Sequence, residues 1–350
     1  MEIREVLIGW YRENRRDLPW RNTTDPYLIW ISEIILQQTR VVQGLDYFNR
    51  FVSRFPDVKT LAEASEDEVL KYWEGLGYYS RARNLHAAAR DIMARFNGVF
   101  PRDYKDVLSL KGIGGYTAAA VCSFAWKQPY AVVDGNVFRV LARLFDIDLP
   151  IDSGAGKKYF TELAQELLDK QHPDLYNQAI MDFGALQCVP QGPDCLFCPF
   201  RDVCRGYAAG KVDVLPVKEG KTVVKPRYFN YLYVRCDGRV LLARRSGKDI
   251  WQNLYEFPLI ETSLPVDPET LQKSPEFERL FRDAGTFHVL KITRMPRHIL
   301  SHRIIYSCFY EIQAERFSSA MTDYIRVLEK DVGQYALPRL LNLYLENERT

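Results

Sequence analysis

The chain has 350 residues, 47% of them hydrophobic and 26% charged, enough apolar material to bury a core in each of two or three domains, so a globular protein is expected. Its formal net charge of +2 excludes bulk attraction to polyanions; basic and acidic groups balance over residues 1–225, and any nucleic-acid surface has to be local. No basic-then-apolar export signal and no apolar run of membrane-spanning length occurs, and seven cysteines, an odd number, argue against a disulfide framework. A cytoplasmic protein with no membrane partner is expected.

Up to about residue 205 the apolar residues recur at three and four spacing, as in LAEASEDEVLKYWEGL and YFTELAQELLDK, which predicts a nearly all-α region. Asp25 followed by Pro26 is an N-cap and first-turn pair for one of its helices. Glu33 follows within WISEIIL, where desolvation would raise its pKa and leave it a usable proton donor. Glu33, Gln37 and Arg40 also have the spacing of an ordinary solvated helix face, and the residues alone favour that reading. Next comes GLGYYSRARNLHAAAR, with three arginines, two tyrosines and no acid, a composition that suits either a strand-gripping surface or a solvated face. In KGIGGYT, Gly112, Gly114 and Gly115 make a tight turn between two helical runs, where glycine permits positive φ and bares backbone N–H groups. Asp134, in VVDGNV before the next helix, reads as an N-cap.

The segment CVPQGPDCLFCPFRDVC has the spacing C-x6-C-x2-C-x5-C, with Cys188, Cys195, Cys198 and Cys204. Four thiolates so close in sequence suit one zinc ion or one iron–sulfur cluster, and spacing does not choose between them. Cys122, Cys236 and Cys308 sit in apolar runs as small core residues. Residues 206–226 lack periodicity and carry glycine, proline and lysine, which reads as a linker. Beyond it, Asp237-Gly238 between two β-rich runs predicts a hairpin that opens an α+β domain at 227–350, closed by the helix LPRLLNLYLEN. A second basic window, KITRMPRHILSHR, holds four Lys/Arg and two His with no acid.

Six ordered motifs, LPWR, SEIILQQTRV, GLGYYSRARNLH, LKGIGGYTAAAV, VVDGNVFRVLAR and NQAIMDFGALQC, together with the cysteine spacing, resemble the MutY-type adenine DNA glycosylases of the endonuclease III superfamily. The stretch DIWQNLYEFPLIE resembles their Nudix-like C-terminal domain, without the clustered glutamates that a Nudix hydrolase needs. The resemblance implies an all-α helix-hairpin-helix glycosylase domain over 1–205 with an iron–sulfur loop at 188–204, a linker at 206–226 and a Nudix-like lesion reader at 227–350. It implies a monofunctional enzyme, acting as a monomer in the cytoplasm or bacterial nucleoid, that hydrolyses adenine from duplex DNA opposite 8-oxoguanine or guanine. Glu33 would protonate the departing adenine and Asp134 stabilise the cationic sugar, a two-carboxylate division of labour. Tyr116 stands where strand-nicking relatives carry a lysine, and it cannot form a Schiff base. Trp20, Arg21 and Asp182 would line the adenine pocket, Gln38 and Tyr78 wedge the opened duplex, Gly112 and Gly114 hold a phosphate, and Ser301 and His302 contact 8-oxoguanine. The four cysteines would hold a structural [4Fe–4S] cluster.

The chain departs from the family pattern at three places. Leu300 replaces an aromatic residue before Ser301, the stretch 189–194 has no cation, leaving Arg201 or Arg205 to replace it, and Gly115 stands where proline or arginine is common. The competing readings are a thymine or oxidised-pyrimidine glycosylase on the same scaffold and a non-catalytic DNA-binding iron–sulfur protein.

Overall fold

The run PYLIWISEIIL forms the helix Pro26–Leu36, whose first turn is fixed by Asp25 accepting a hydrogen bond from the Tyr27 amide (2.9 Å), with Pro26 supplying a preset φ. Tyr27 and every residue from Ile29 to Ile35 are buried, so this helix is apolar on all sides and lies inside the protein. It packs against the helices Val41–Arg54 and Gly115–Trp126, the latter nearly as apolar, and Trp30 meets Tyr27 and Phe100 edge to face.

A computed structural model describes residues 3–220 and 223–347, and the chain divides into two units, 1–63 with 84–220 and 64–83 with 221–350. The first unit is helical. Beside the central helix, its second cluster gathers Leu7 and Tyr11 of Ile3–Asn14, Val140 and Leu141 of Gly135–Phe145, Phe160 of Gly154–Leu167 and Phe183 of Pro173–Leu186. Most of the glycine- and lysine-containing segment after residue 206 lies on this same unit. Leu215 is buried in the cluster and its carbonyl accepts from Arg143 Nε (3.1 Å), while Asp152 accepts from the amides of Glu219 and Gly220. Among the described residues no helix is long and apolar enough to cross a membrane.

The second unit is built on a mixed sheet of β1 (Lys225–Cys236), β2 (Arg239–Arg244), β3 (Tyr255–Glu256), β4 (Leu259–Thr262), β5 (Phe287–Arg294), β6 (His298–Ile299), β7 (Arg303–Ala314) and β8 (Ile325–Leu328). Its main path runs β3-β2-β1-β7-β5, with β1 and β7 parallel in the register Lys225↔Arg303 to Arg235↔Gln313. Asp237 and Gly238 both have positive φ, as a two-residue turn between β1 and β2 requires. Helices Pro275–Phe281 and Arg339–Asn347 supply apolar cover, Tyr344 stacking on Phe309 at 4.1 Å. The helix Glu66–Trp73, early in the chain, also belongs here through polar anchors. Asp67 accepts from the Tyr255 hydroxyl (2.7 Å), Glu66 from Asn253 Nδ2 (2.6 Å) and Glu74 from the Leu337 amide (2.7 Å).

In the first unit the helices Tyr104–Ser109 and Gly115–Trp126 form a hairpin around Gly112, at φ +80°. A Cβ there would come within 2.6 Å of Asn84 Cβ, whereas one at Gly114, the N-cap of the second helix, would meet open space. Gly112→Ala therefore lowers stability by about 1–3 kcal/mol, and Gly114→Ala by less than about 1 kcal/mol, measured by chemical denaturation.

Candidate active site

Glu33 lies in the last turn of the central helix, its carboxylate facing a cavity of about 560 Å³. Only 6% of the residue is exposed. Burial is the main reason that its pKa is pushed up to about 7; the hydrogen bond from Tyr116 and the nearby Arg21 cation pull the other way, and the Asp134 charge adds to the rise. Tyr116, in the first turn of Gly115–Trp126, donates its hydroxyl to Glu33 Oε2 at 2.5 Å, and burial beside two carboxyls drives its own pKa well up. Asp134 is the N-cap of Gly135–Phe145, accepting from the Val137 amide (2.8 Å) and Asn136 Nδ2 (2.8 Å). Burial raises its pKa and these hydrogen bonds oppose the rise, since they favour the charged form. The capping role read from VVDGNV and a cavity-lining position thus coincide in one side chain. Of the two readings of Glu33, the solvated helix face is overturned: the helix ends at Leu36 and Glu33 faces inward.

Trp20 and Arg21 line the same cavity; Trp20 is buried edge-on against Phe48 (5.1 Å). Asp182 does not line it. Fully buried, it is clasped by Arg21 through Nη1 (2.6 Å) and Nη2 (2.8 Å) and by Arg16, so it acts on the cavity through the two arginines. Gln38 is exposed at φ +57°, just past the central helix, and is not a lining residue.

Sequence reasoning passed over Asn136 and Arg139. Arg139 donates Nε to the Cys188 carbonyl (2.8 Å) and Nη2 to Asn136 Oδ1 (2.8 Å) and the Gly184 carbonyl (2.6 Å), and Asn136 donates to Asp134. A continuous polar chain therefore joins the cysteine segment to a cavity carboxylate. The available signal was the arginine spaced one helical turn after Asn136, in a helix whose remaining residues, Arg143 apart, are apolar or glycine.

Cys188, Cys195, Cys198 and Cys204, all without disulfides, line one small cavity of about 30 Å³ together with Arg143, whose Nη1 lies 3.4 Å from Cys188 Sγ. Among the described residues no three His, Cys, Asp or Glu groups are close enough to clasp a single metal ion. Four thiols lining one cavity are a donor set that suits either one zinc ion or one iron–sulfur cluster.

In the second unit the two basic windows meet. Tyr78 and Arg83 from one, and Ser301, His302 and Arg303 from the other, line a cavity of about 500 Å³ with Trp251 and Gln252. Tyr78, at φ +48° and 47% exposed, shares a hydrogen bond with Ser301 Oγ.

The HhH-GPD superfamily of base excision DNA repair proteins matches residues 31–187, and the NUDIX domain matches 230–347. An adenine DNA glycosylase of Buchnera aphidicola subsp. Baizongia pistaciae is 35% identical over 260 residues, 73% of this chain and 72% of that protein. The chain belongs to the adenine DNA glycosylase family. Another member, from Buchnera aphidicola subsp. Schizaphis graminum, is 29% identical over 98% of this chain and 97% of its own length, and the mouse protein is 41% identical over 61% and 44%. Among solved structures, a thermostable thymine-DNA glycosylase is similar with TM-score 0.55 and 31% identity over 59% of this chain and 94% of that one. A non-covalent endonuclease III–DNA complex shares the fold at TM-score 0.52, 22% identity and 59% and 96% coverage. As a DNA glycosylase of this family, the protein pairs a helix-hairpin-helix domain with a C-terminal NUDIX-type domain.

Folding raises the Glu33 pKa from 4.5 to about 7, so its protonated form supports the native state fully below about pH 4.5 and that support is lost as pH rises through about 7. Relative to wild type, Glu33→Gln is expected to gain about 3 kcal/mol of stability on going from pH 4 to pH 8, read from urea denaturation at the two pH values.

Proposed function

We propose that this glycosylase removes adenine from duplex DNA in which it is paired with 8-oxoguanine or guanine, leaving an abasic site, and that it acts as a monomer. The observation that carries the reading is one cavity holding a carboxyl that keeps its proton near neutral pH, Glu33, and a second carboxylate fixed by two hydrogen bonds, Asp134. The adenine has to leave the base stack to reach it. Glu33 gives its proton to the base as the glycosidic bond breaks, and the bonding electrons leave with the adenine. The Asp134 carboxylate faces the cationic sugar; water then adds at the sugar carbon and returns a proton to Glu33. Tyr116 orients Glu33 through its hydroxyl and offers no amine for a Schiff base, so the strand stays intact.

Trp20 and Arg21 hold the base, with Asp182 keeping Arg21 in place. Gln38 and Tyr78, both exposed at positive φ, occupy the opened duplex, and the hairpin around Gly112 and Gly114 binds a phosphate through the first-turn amides of Gly115–Trp126, which have no carbonyl partner in their own helix. Ser301 and His302 read 8-oxoguanine. Cys188, Cys195, Cys198 and Cys204 hold a [4Fe–4S] cluster. When bound it supplies iron–sulfur bonds that cross-link the segment 188–204, and hydrolysis asks no redox change of it.

A thymine-directed reading has a relative on its side, the thymine-DNA glycosylase structure. That likeness takes in 94% of the other chain and 59% of this one, which leaves no room there for a second domain of this size. The deciding assay is base release, by protein purified without oxygen, from duplexes carrying adenine opposite 8-oxoguanine, adenine opposite guanine, thymine opposite guanine, or thymine glycol. Adenine should be released from the first two, with strand breaks only after alkali, and Glu33→Gln should lower the rate at least about a hundredfold. Release of pyrimidines, or breaks without alkali, contradicts the proposal; binding without release makes the protein a non-catalytic DNA binder. The same preparation should contain about four irons per chain, and Cys198→Ser should lose them.

A further inference from the structure

We infer that Gln252 is a specificity-determining residue for the oxidised base, presenting its amide NH2 to the extra carbonyl oxygen at C8 of 8-oxoguanine, and that Arg83 is the residue that positions it. The inference rests on the proposed reading of the Ser301–His302 cavity. Gln252 lines that cavity together with Ser301 and His302. It sits between two residues in the left-handed region, Trp251 at φ +59° and Asn253 at φ +68°. A bulky residue rarely takes that conformation, and it persists only where the surroundings impose it.

Here they do. Arg245 donates Nε to the Ile250 carbonyl (3.0 Å) and exchanges backbone bonds with Leu254 (2.9 Å) and Asn253 (2.8 Å). Its own guanidinium is fixed by both oxygens of Glu256 (2.7 and 2.6 Å) and by Asp249 (2.8 Å). Asn253 is tied to Glu66 (2.6 Å), and the Trp251 ring packs against Phe229 and His298. Arg83 completes the arrangement with Nη1 to the Gln252 carbonyl (2.8 Å) and Nη2 to Gln252 Oε1 (3.4 Å). A guanidinium only donates, so the carboxamide oxygen is the end turned toward Arg83 and the NH2 is the end turned away. Among the described residues that NH2 has no hydrogen-bond partner. Guanine lacks the C8 oxygen, so a fixed donor at this place separates the two bases, whereas a pinned side chain with no ligand would need no such constrained loop.

The test compares Gln252→Ala and Gln252→Glu with wild type by kcat/KM for adenine release opposite 8-oxoguanine and opposite guanine. Glutamate keeps the oxygen that Arg83 grips and removes the NH2 donor, so it separates recognition from loop support. Both variants should reduce the 8-oxoguanine to guanine ratio about tenfold, the worth of about one hydrogen bond. If Gln252→Glu keeps the wild-type ratio while Gln252→Ala loses it, the residue only supports the loop and the inference is overturned; it is equally overturned if neither variant changes the ratio. Should wild type itself show no preference for adenine opposite 8-oxoguanine, the proposed function fails before Gln252 is in question.

Discussion

The constraint on which the rest of the site depends is the burial of one carboxyl. Helix Pro26–Leu36 is apolar all round, and Glu33 is carried inward with it. Taking an ionised carboxylate from water costs several kcal/mol, so the group keeps its proton near neutral pH instead. Tyr116, Arg21 and Asp134 are arranged around that fact. The phenol and the guanidinium limit how far the pKa climbs, and the second carboxylate raises it. Burial raises the pKa of both carboxyls in the cavity, opposed at Glu33 by the phenol and the guanidinium and at Asp134 by two hydrogen bonds to its charged form; a proton donor beside a carboxylate is the pairing that acid-assisted cleavage of a glycosidic bond uses.

Support for this arrangement comes from buried ionic and polar chains rather than from apolar packing alone. Asp182 holds Arg16 and Arg21 on one side of the cavity, and Arg139 and Asn136 connect Asp134 to the backbone of Cys188 on the other. A disturbance of the cysteine segment would reach the capping carboxylate through two side chains. In the second unit, carboxylates of the helix Glu66–Trp73 bind the C-terminal sheet, and the Tyr78 loop that follows faces the Ser301 loop.

The architecture was legible where local chemistry decides it. The Asp25-Pro26 start, the Asp237-Gly238 hairpin and the C-terminal helix each follow from residues a few positions apart. Glu33 was not legible from spacing, because Glu33, Gln37 and Arg40 share the periodicity of a solvated face and only the absence of polar residues on the other sides of the helix shows that there is no such face. The structure buries Glu33 at the cavity wall instead. Asp182 was expected to line the cavity, yet a carboxylate between two arginines satisfies itself below the surface. Arg139 and Gln252 take partners 45 or more positions away, Cys188 and Gly184 for the one and Arg83 for the other, which spacing cannot foresee, and Asn136 is marked only by standing one helical turn before Arg139. The assignment of residues 64–83 to the second unit rests on contacts with residues 253, 255 and 337, which spacing cannot foresee.

The central claim is that the fold holds a proton on Glu33 at neutral pH. Its most direct test is the titration of the Glu33 carboxyl carbon by NMR in protein labelled at glutamate, with Glu33→Gln identifying the signal. The account predicts a midpoint at about 7, falling when Asp134→Asn removes the neighbouring charge. A midpoint at the ordinary value of about 4.5, unmoved by Asp134→Asn, would contradict it.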